Sequence, residues 1–222
     1  PFFRLAELRA ESKDSHLVDP VTEAVRAAEQ AMRAVLQEHC PDDGILGEEF
    51  GAKASKTGRT WILDPIDGTR GFLSGTPTWG VLIGLQDGAR ITLGVIDQPY
   101  IGERFLGGMG RADVQGPTGV RQLQVRKGRA LEDAVLFSTF PEVGTQAERQ
   151  AFEGIAHSVK LTRYGCDCYA YALLAAGHVD LVIEAGLQPY DIAGPIGVIE
   201  AAGGVVTTWE GGSALEGGQI LA

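Results

Sequence analysis

The spacing of apolar and polar residues predicts a helix and then an antiparallel sheet in the first half of the chain. From 21 to 40, apolar residues recur at steps of three and four, as on one face of an amphipathic helix, and Asp19-Pro20 is a suitable helix start. The segments TWGVLIGLQ and RITLGVIDQPY have the composition of strands and are separated by Asp87-Gly88, which is typical of a hairpin turn. GERFLGG predicts a third antiparallel strand.

Helical and extended patterns alternate in the second half. Helices are predicted at 146–160, 169–176 and 192–202, and strands at VDLVIEA and GVVTTWE. Hairpin strands followed by alternating helices and strands indicate a layered α/β fold of the α+β type. We expect two lobes, an α+β lobe over 1–118 and an α/β lobe over 119–222.

The composition of the chain favours some classes of binding partner over others. Of the 222 residues, 44% are hydrophobic, which is sufficient for a sizeable core. The 19 Lys and Arg face 29 Asp and Glu, and this net charge of −10 argues against a nucleic-acid partner and favours a small cationic or metal-associated substrate. No apolar run approaches a membrane span of roughly 18–20 residues and no signal pattern opens the chain, so we expect a cytoplasmic protein without membrane association.

Acidic residues stand beside predicted turns and strand ends in three motifs. If several of them converge, each ionised pair at about 4 Å costs on the order of 4 kcal/mol at an effective dielectric of about 20. Such a cluster must take up protons or bind cations, and its oxygen ligands suit Mg²⁺ or Mn²⁺ better than zinc. The residues are Glu48 and Glu49 in GEEF, Asp64 and Asp67 in DPIDGT, and Asp191 in PYDIAG.

The motif DPIDGT permits two interpretations. Its proline restricts the backbone, so that Asp64, Asp67 and the carbonyl of Ile66 could face one point, and Gly68 would let a phosphate approach backbone amides. Asp-Pro and Asp-Gly are, however, also common in plain turns, and an Asp that precedes a helix often caps it. The presence of GEEF and PYDIAG in the same chain favours a site.

These motifs also resemble a known family. GEEF, WILDPIDGTRGF and PYDIAGPIGVIEAAGGVVTTW are similar, in order and spacing, to three signatures of the inositol monophosphatase family of magnesium-dependent phosphatases. SGTPTWGVLIGL, GVIDQPYIGERFLG and CDCYAYALLAAGHVDLVIEAGLQPYDIA resemble its histidinol-phosphatase branch.

This resemblance implies an αβαβα sandwich, a homodimer, and hydrolysis of L-histidinol phosphate in histidine biosynthesis. Inositol 1-phosphate and other small phosphomonoesters are the alternative substrates. Relative to the family pattern the chain is expected to be truncated at both ends, since it starts at Pro1 and stops within an apparent strand, GGQILA.

The resemblance also implies two Mg²⁺ sites, with Mn²⁺ as a substitute. Glu48, Asp64 and the Ile66 carbonyl would hold the first ion. Asp64, Asp67 and Asp191 would hold the second.

The resemblance assigns further roles around these sites. Glu48 and Thr69 would orient the attacking water, and the amides of Gly68 and Thr69 would bind the phosphate. Asp167 and Glu184 would face the ammonium and imidazole groups of histidinol phosphate. Two structural alternatives remain open, namely that Asp167 caps the following helix and that Glu184 is a solvated strand end.

One position departs from the family pattern. Where the family has Thr-Glu-Ala-Asp before its first long helix, this chain has TEAV, so that Val25 takes the place of an aspartate. In the family that aspartate helps to bind a third, weaker metal ion and partners the motif threonine in activating water. Asp19 or Glu23 could compensate. A homologue that binds metal or ligand without turnover is therefore a further hypothesis.

Overall fold

The computed structural model of the protein describes residues 2–4 and 20–222. Within that part of the chain, helices and strands form a layered α/β architecture, as the sequence predicts. The helices are α1 (Pro20–His39), α2 (Thr69–Ser74), α3 (Gln146–Ala156), α4 (Cys168–Ala175) and α5 (Pro189–Ala201). The strands are β1 (Gly44–Gly47), β2 (Gly51–Lys53), β3 (Arg59–Asp67), β4 (Gly80–Asp87), β5 (Arg90–Gln98), β6 (Glu103–Gly108), β7 (Arg111–Gly116), β8 (Gly119–Gln122), β9 (Val135–Ser138), β10 (Leu161–Tyr164), β11 (Leu181–Leu187) and β12 (Gly218–Leu221).

The first sheet contains eight strands in the order β2-β1-β3-β4-β5-β6-β7-β8. From β3 to β8 every neighbouring pair is antiparallel, whereas β1 runs parallel to β3. The hairpin predicted at Asp87-Gly88 is confirmed, since Asp87 pairs with Arg90 across a two-residue turn. Helix α1, Pro20–His39, lies within one residue of the predicted range 21–40 at each end.

The second sheet has the order β10-β9-β11-β12, with β9 parallel to both β10 and β11. The strand predicted at GVVTTWE is wrong. In that segment Thr207 forms one isolated bridge, to Leu221. The position beside β11 is occupied by β12, in GGQILA, and the earlier segment meets β12 only at that bridge.

Helix α5 packs closely on the first sheet. Glycines on both surfaces allow the approach: a Cβ at Gly94 would lie 2.2 Å from the Gly194 carbonyl oxygen, and one at Gly107 would lie 2.3 Å from that of Gly197. A larger residue at these positions would separate helix and sheet. The close packing fixes the N-terminus of α5, and therefore Asp191, relative to the end of β3.

Two helices have bounds that differ from the predicted ones, and one of them, α5, begins at Pro189 and not at 192. Helix α3 stops at Ala156 and not at 160, because its last turn is closed by hydrogen bonds from the His157 amide before the chain enters β10. Strand β8 belongs to the first sheet. In the described residues no helix combines the length and apolar character needed to cross a membrane.

Candidate active site

Strand β3 places two carboxyl groups at one end of the first sheet. Its pairing with β4 is irregular between Asp64 and Asp67, and the Asp64 carboxylate turns back to accept a hydrogen bond from the Ile66 amide at 3.0 Å. One oxygen from each of Asp64, Asp67 and Asp191 lies within 4.8 Å of the other two. The irregular strand end therefore directs both aspartates of DPIDGT to one point, where Asp191 joins them.

Asp191 has a structural contact as well as a place in this acidic cluster. It occupies the first turn of α5, and its Oδ2 accepts a hydrogen bond from the Gln188 amide at 2.7 Å. The capping interpretation is thus correct for one oxygen. The same hydrogen bond from Gln188 holds the Asp191 side chain in position within the acidic cluster.

Asp67 connects the two halves of the chain. Its Oδ2 accepts a hydrogen bond at 2.7 Å from the amide of Cys168, the first residue of α4. Negative charge is favourable at a helix N-terminus, where backbone amides lack partners within the helix. The alternative that Asp167 caps α4 is not observed, since its side chain makes no capping hydrogen bond.

Asp167 has an unusual backbone conformation, with φ 45° and ψ −141°. Such a conformation in a residue other than glycine costs on the order of 1–3 kcal/mol and is concentrated at functional sites. It brings the carboxylate over Gly68, where a Cβ would lie 2.8 Å from the Cβ and Cγ of Asp167, and within 3.3 Å of the Thr78 hydroxyl, which donates to it. Asp167 therefore lies directly beside the turn between β3 and α2.

Glu48 follows β1 and lies at the exposed rim of the cluster. Its loop is held by Glu29 of α1, which is fully buried and accepts hydrogen bonds from the amides of Glu49 at 2.7 Å and Phe50 at 3.3 Å. Arg33 pairs with Glu29 at 2.7 Å. We missed Glu29 in the sequence. The only local signal for it is the Glu–Arg spacing of four residues on a helix.

The acidic cluster favours protons or cations. Burial, followed by the charges of Asp191 and Asp167, raises the pKa of Asp67 to about 8. Partial burial and the charges of Asp191, Glu49 and Glu29 raise the pKa of Glu48 to about 7. The pKa of Asp64 is raised well above its usual range by burial and then by Asp67 and Glu48. An all-oxygen donor set with this accumulated charge fits a divalent cation such as Mg²⁺.

The cluster lines a cavity of about 330 Å³. Both sheets contribute to its wall, and six of its residues are acidic. The lining residues are Glu48, Asp64, Ile66, Asp67, Gly68, Thr69, Arg70, Thr139, Phe140, Asp167, Cys168, Tyr171, Glu184, Ala185, Gly186, Leu187 and Asp191.

Glu184 forms part of the wall from the second sheet. It is 6% exposed, so the alternative of a solvated strand end is wrong. Its Oε1 accepts hydrogen bonds from the Thr139 amide at 2.6 Å and hydroxyl at 2.8 Å, whereas Oε2 has a long contact of 3.5 Å with the Ser138 hydroxyl. Burial raises the pKa of Glu184 to about 7. Its Oε2 keeps most of its capacity to accept hydrogen bonds.

Arg70 and Phe140 meet across the cavity from different halves of the chain. The Arg70 guanidinium lies 4.6 Å from the centre of the Phe140 ring, a cation–π contact. Arg70 is the single basic residue among the described lining residues. Burial raises the pKa of Asp167, and the hydrogen bond from Thr78 and the charge of Arg70 oppose that rise. The sequence does not predict this contact, because the two residues are far apart in the chain.

Val25 lies outside the cavity wall formed by the described residues. It is 3% exposed and belongs to an apolar cluster with Ile66, Phe72 and Trp79. It is thus adjacent to the DPIDGT segment, on the side that faces α1. Of the two residues that could compensate for it, Glu23 is exposed on α1 and Asp19 lies outside the described residues.

Comparison with known proteins assigns the chain to a family. The family model for the inositol monophosphatase family matches residues 3–222. A chloroplastic bifunctional phosphatase, IMPL2, from Arabidopsis thaliana is 42% identical over 201 residues; the match covers 89% of this chain and 57% of that protein. A histidinol-phosphatase from Mycobacterium tuberculosis is 35% identical over 223 residues, which cover 99% of this chain and 85% of that protein.

A solved structure agrees with these matches. An inositol monophosphatase from Zymomonas mobilis superposes with a TM-score of 0.88 at 38% identity, over 100% of this chain and 84% of that one. The sequence resemblance is thereby confirmed at the level of family and fold. The chain belongs to the inositol monophosphatase family, whose members are metal-dependent phosphoric monoester hydrolases.

Proposed function

We propose that the protein is a Mg²⁺-dependent phosphatase that hydrolyses L-histidinol phosphate to L-histidinol and phosphate. The observation that carries the proposal is the distribution of carboxylates along one cavity. Asp64, Asp67 and Asp191 form a first group, the acidic cluster, and Asp167 and Glu184 are a second group of carboxylates that lines the same cavity. The first suits a metal-bound phosphate, and the second suits a cationic alcohol.

Five residues would hold the metal ions. Glu48, Asp64 and the carbonyl of Ile66 would form one site, and Asp64, Asp67 and Asp191 the other. Bound Mg²⁺ would increase the nucleophilicity of water and neutralise charge on the leaving oxygen. The raised pKa values of Asp67 and Glu48 support this assignment, because carboxylates that repel one another gain most from a cation.

The turn after β3 would bind the phosphate and position the water. Gly68, with φ 79°, directly precedes α2. It has no side chain, so the first turn of α2 receives no side-chain cap. The amides of Gly68 and Thr69 therefore remain candidates for phosphate oxygens. The Thr69 hydroxyl and the Glu48 carboxylate, which line the same cavity, would orient the water, and the carboxylate would accept its proton.

Asp167 and Glu184 would recognise the alcohol part of the substrate. Asp167 is fixed by its backbone conformation and by Thr78, and the Oε2 of Glu184 is available for a further hydrogen bond. A bound ammonium or imidazolium would favour the ionised form of Glu184, whose pKa of about 7 leaves it partly protonated at neutral pH in the free protein.

Phosphate release tests this proposal. We expect release from L-histidinol phosphate that depends on Mg²⁺ and exceeds release from inositol 1-phosphate. Asp167→Asn and Glu184→Gln should reduce this preference while both substrates are still hydrolysed. Equal rates on the two substrates in the unchanged protein would favour a phosphatase for other small phosphomonoesters.

Val25 gives specific support to a second candidate, a homologue that binds metal and ligand without turnover. Its buried apolar side chain stands where the resemblance places a catalytic carboxylate. Calorimetry that detects Mg²⁺-dependent binding of L-histidinol phosphate without phosphate release would favour this candidate. Release at any substantial rate would eliminate it.

Several further features stay predictions. They are a homodimer, a cytoplasmic location, Mn²⁺ as a substitute ion, a third weak metal site, the absence of a nucleic-acid partner, and the division into lobes over 1–118 and 119–222. Size-exclusion chromatography with light scattering tests the first of them.

A further inference from the structure

The hydroxyl of Tyr171 is buried without a hydrogen-bond partner among the described residues. Tyr171 lies in α4, is 3% exposed, and lines the cavity. An unpaired buried hydroxyl costs about 1–3 kcal/mol of stability, whereas phenylalanine would fill nearly the same volume without that cost. A polar group in such a place calls for a partner that the free protein does not supply.

Tyr171 shares the cavity wall with the carboxylates of Glu184, Asp67 and Asp191. Burial, and then the charges of Glu184, Asp67 and Asp191, raise the pKa of Tyr171 well above its usual range, so the phenol stays protonated and can donate. Asp67 and Asp191 each have an oxygen that already accepts a backbone amide at 2.7 Å. Glu184 is the one carboxylate of the three that the proposed function does not assign to a metal ion, and its Oε2 has only a 3.5 Å contact with the Ser138 hydroxyl.

We propose that Tyr171 is a positioning residue for substrate recognition. In the substrate-bound protein its hydroxyl donates to Oε2 of Glu184 and holds that carboxylate toward the cationic group of the alcohol. Thr139 fixes the other oxygen, so the two donors together define the direction in which Glu184 presents its charge. The inference rests on the proposed function, because it gives Tyr171 a task only if the substrate is cationic.

Two tyrosines on α4 provide a matched pair of variants. Tyr171→Phe removes the unpaired hydroxyl. Tyr169→Phe removes a hydroxyl that donates to Glu103 at 2.6 Å and is not part of the cavity wall among the described residues. Each change deletes one hydroxyl oxygen from the same helix. A difference between the two variants therefore reports on the position of the hydroxyl and not on the loss of a hydroxyl as such.

The experiment measures kcat and KM of both variants on L-histidinol phosphate and on inositol 1-phosphate. For Tyr171→Phe we expect KM for L-histidinol phosphate to rise roughly tenfold, as for the loss of one hydrogen bond to a charged group, with kcat nearly unchanged. On inositol 1-phosphate the variant should stay within about twofold of the unchanged protein, as should Tyr169→Phe on both substrates.

A double variant tests the route through Glu184. If Tyr171 acts through that carboxylate, adding Tyr171→Phe to Glu184→Gln should cause no further rise in KM. The inference would be overturned if the effects of Tyr171→Phe and Glu184→Gln on KM were fully additive in the double variant. An equal loss on both substrates, which would place the effect in the metal cluster, or no selective loss in Tyr171→Phe would overturn it as well.

Thermal unfolding of the free protein gives a second, independent readout. Tyr171→Phe should unfold at the same temperature as the unchanged protein or at a higher one, since no hydrogen bond is lost. A clear decrease would mean that the hydroxyl is already paired, and would overturn the inference. The substrate preference of the unchanged protein separately tests the proposed function, so the two can fail independently.

Discussion

Replacing Asp67 with Asn should make the metal-free protein less sensitive to pH. Asp67 belongs to a cluster in which three carboxylate oxygens lie within 4.8 Å of one another. At that distance and an effective dielectric of about 20, each ionised pair costs about 3.5 kcal/mol. Burial, the charge of Asp191 and that of Asp167 raise the pKa of Asp67 from 3.8 to about 8, which corresponds to about 6 kcal/mol.

The sign of the effect follows from proton binding. A carboxyl group with a higher pKa in the folded protein holds its proton more tightly there than in the unfolded chain. Its stabilising contribution is complete below pH about 4 and is lost as the pH rises toward 8, with a slope of at most about 1.4 kcal/mol per pH unit. Between pH 5 and 8, the unchanged protein should lose up to about 4 kcal/mol relative to Asp67→Asn.

Urea unfolding in EDTA at pH 5, 6, 7 and 8 measures this difference. The Asn side chain can still accept the Cys168 amide through its carbonyl oxygen, so the link to α4 is retained. Asp113→Asn is the control, since Asp113 pairs with Arg111 at the surface and its loss should change stability by no more than about 1 kcal/mol. Adding Mg²⁺ at about 100 times its dissociation constant should stabilise the unchanged protein by about 2.7 kcal/mol and the variant by less.

Two results would refute this reasoning. One is a free energy of unfolding in EDTA that is constant or rises from pH 5 to pH 8 relative to Asp67→Asn. The other is stabilisation by Mg²⁺ that is equal in the unchanged protein and in the variant. Either would mean that the three carboxylates do not act as one charged unit.

Three further substitutions test other parts of the site. Gly68→Ala should lower stability by about 1–3 kcal/mol and weaken inhibition by inorganic phosphate, because its Cβ would lie 2.8 Å from Asp167. Gly110→Ala, with φ 78° but open surroundings, is its control, and equal phosphate inhibition in both variants would count against a phosphate site at Gly68. Glu29→Gln should lower the free energy of unfolding in urea by about 3 kcal/mol and weaken Mg²⁺ binding, because the buried Glu29 holds the loop that carries Glu48. Unchanged Mg²⁺ binding in calorimetry would show that this loop does not contribute to the metal site. Val25→Asp should lower the unfolding temperature in EDTA but raise turnover at fixed Mg²⁺, and a lack of any gain in turnover would contradict the catalytic role assigned to this position.

Local patterns predicted those parts of the fold that depend on local interactions. Helix α1 and the β4–β5 hairpin follow from the apolar spacing and from one turn dipeptide. Strands β9 and β10 were missed because each has four residues, too few for a clear alternation. GVVTTWE has the composition of a strand but forms only one bridge to β12, because strand formation depends on pairing with distant segments, which the composition of the segment does not encode.

The same distinction applies to the candidate site. The acidic motifs could be read directly, because each contains its carboxylates within a short turn. Glu29, Tyr171 and the contact between Arg70 and Phe140 could not, since their surroundings come from packing between distant segments. A buried glutamate in a helix, or a tyrosine in an apolar run, looks the same in the sequence whether or not it faces a site.

The hydrogen bond from Cys168 to Asp67 has a consequence for folding. It joins residues separated by 101 positions in the chain, and closing such a loop costs conformational entropy. The complete cluster therefore cannot form during synthesis until α4 and α5 have been made and have docked. Affinity for the metal ion should arise late in folding, as a property of the assembled chain, and a partly folded chain should compete poorly for magnesium in the cell.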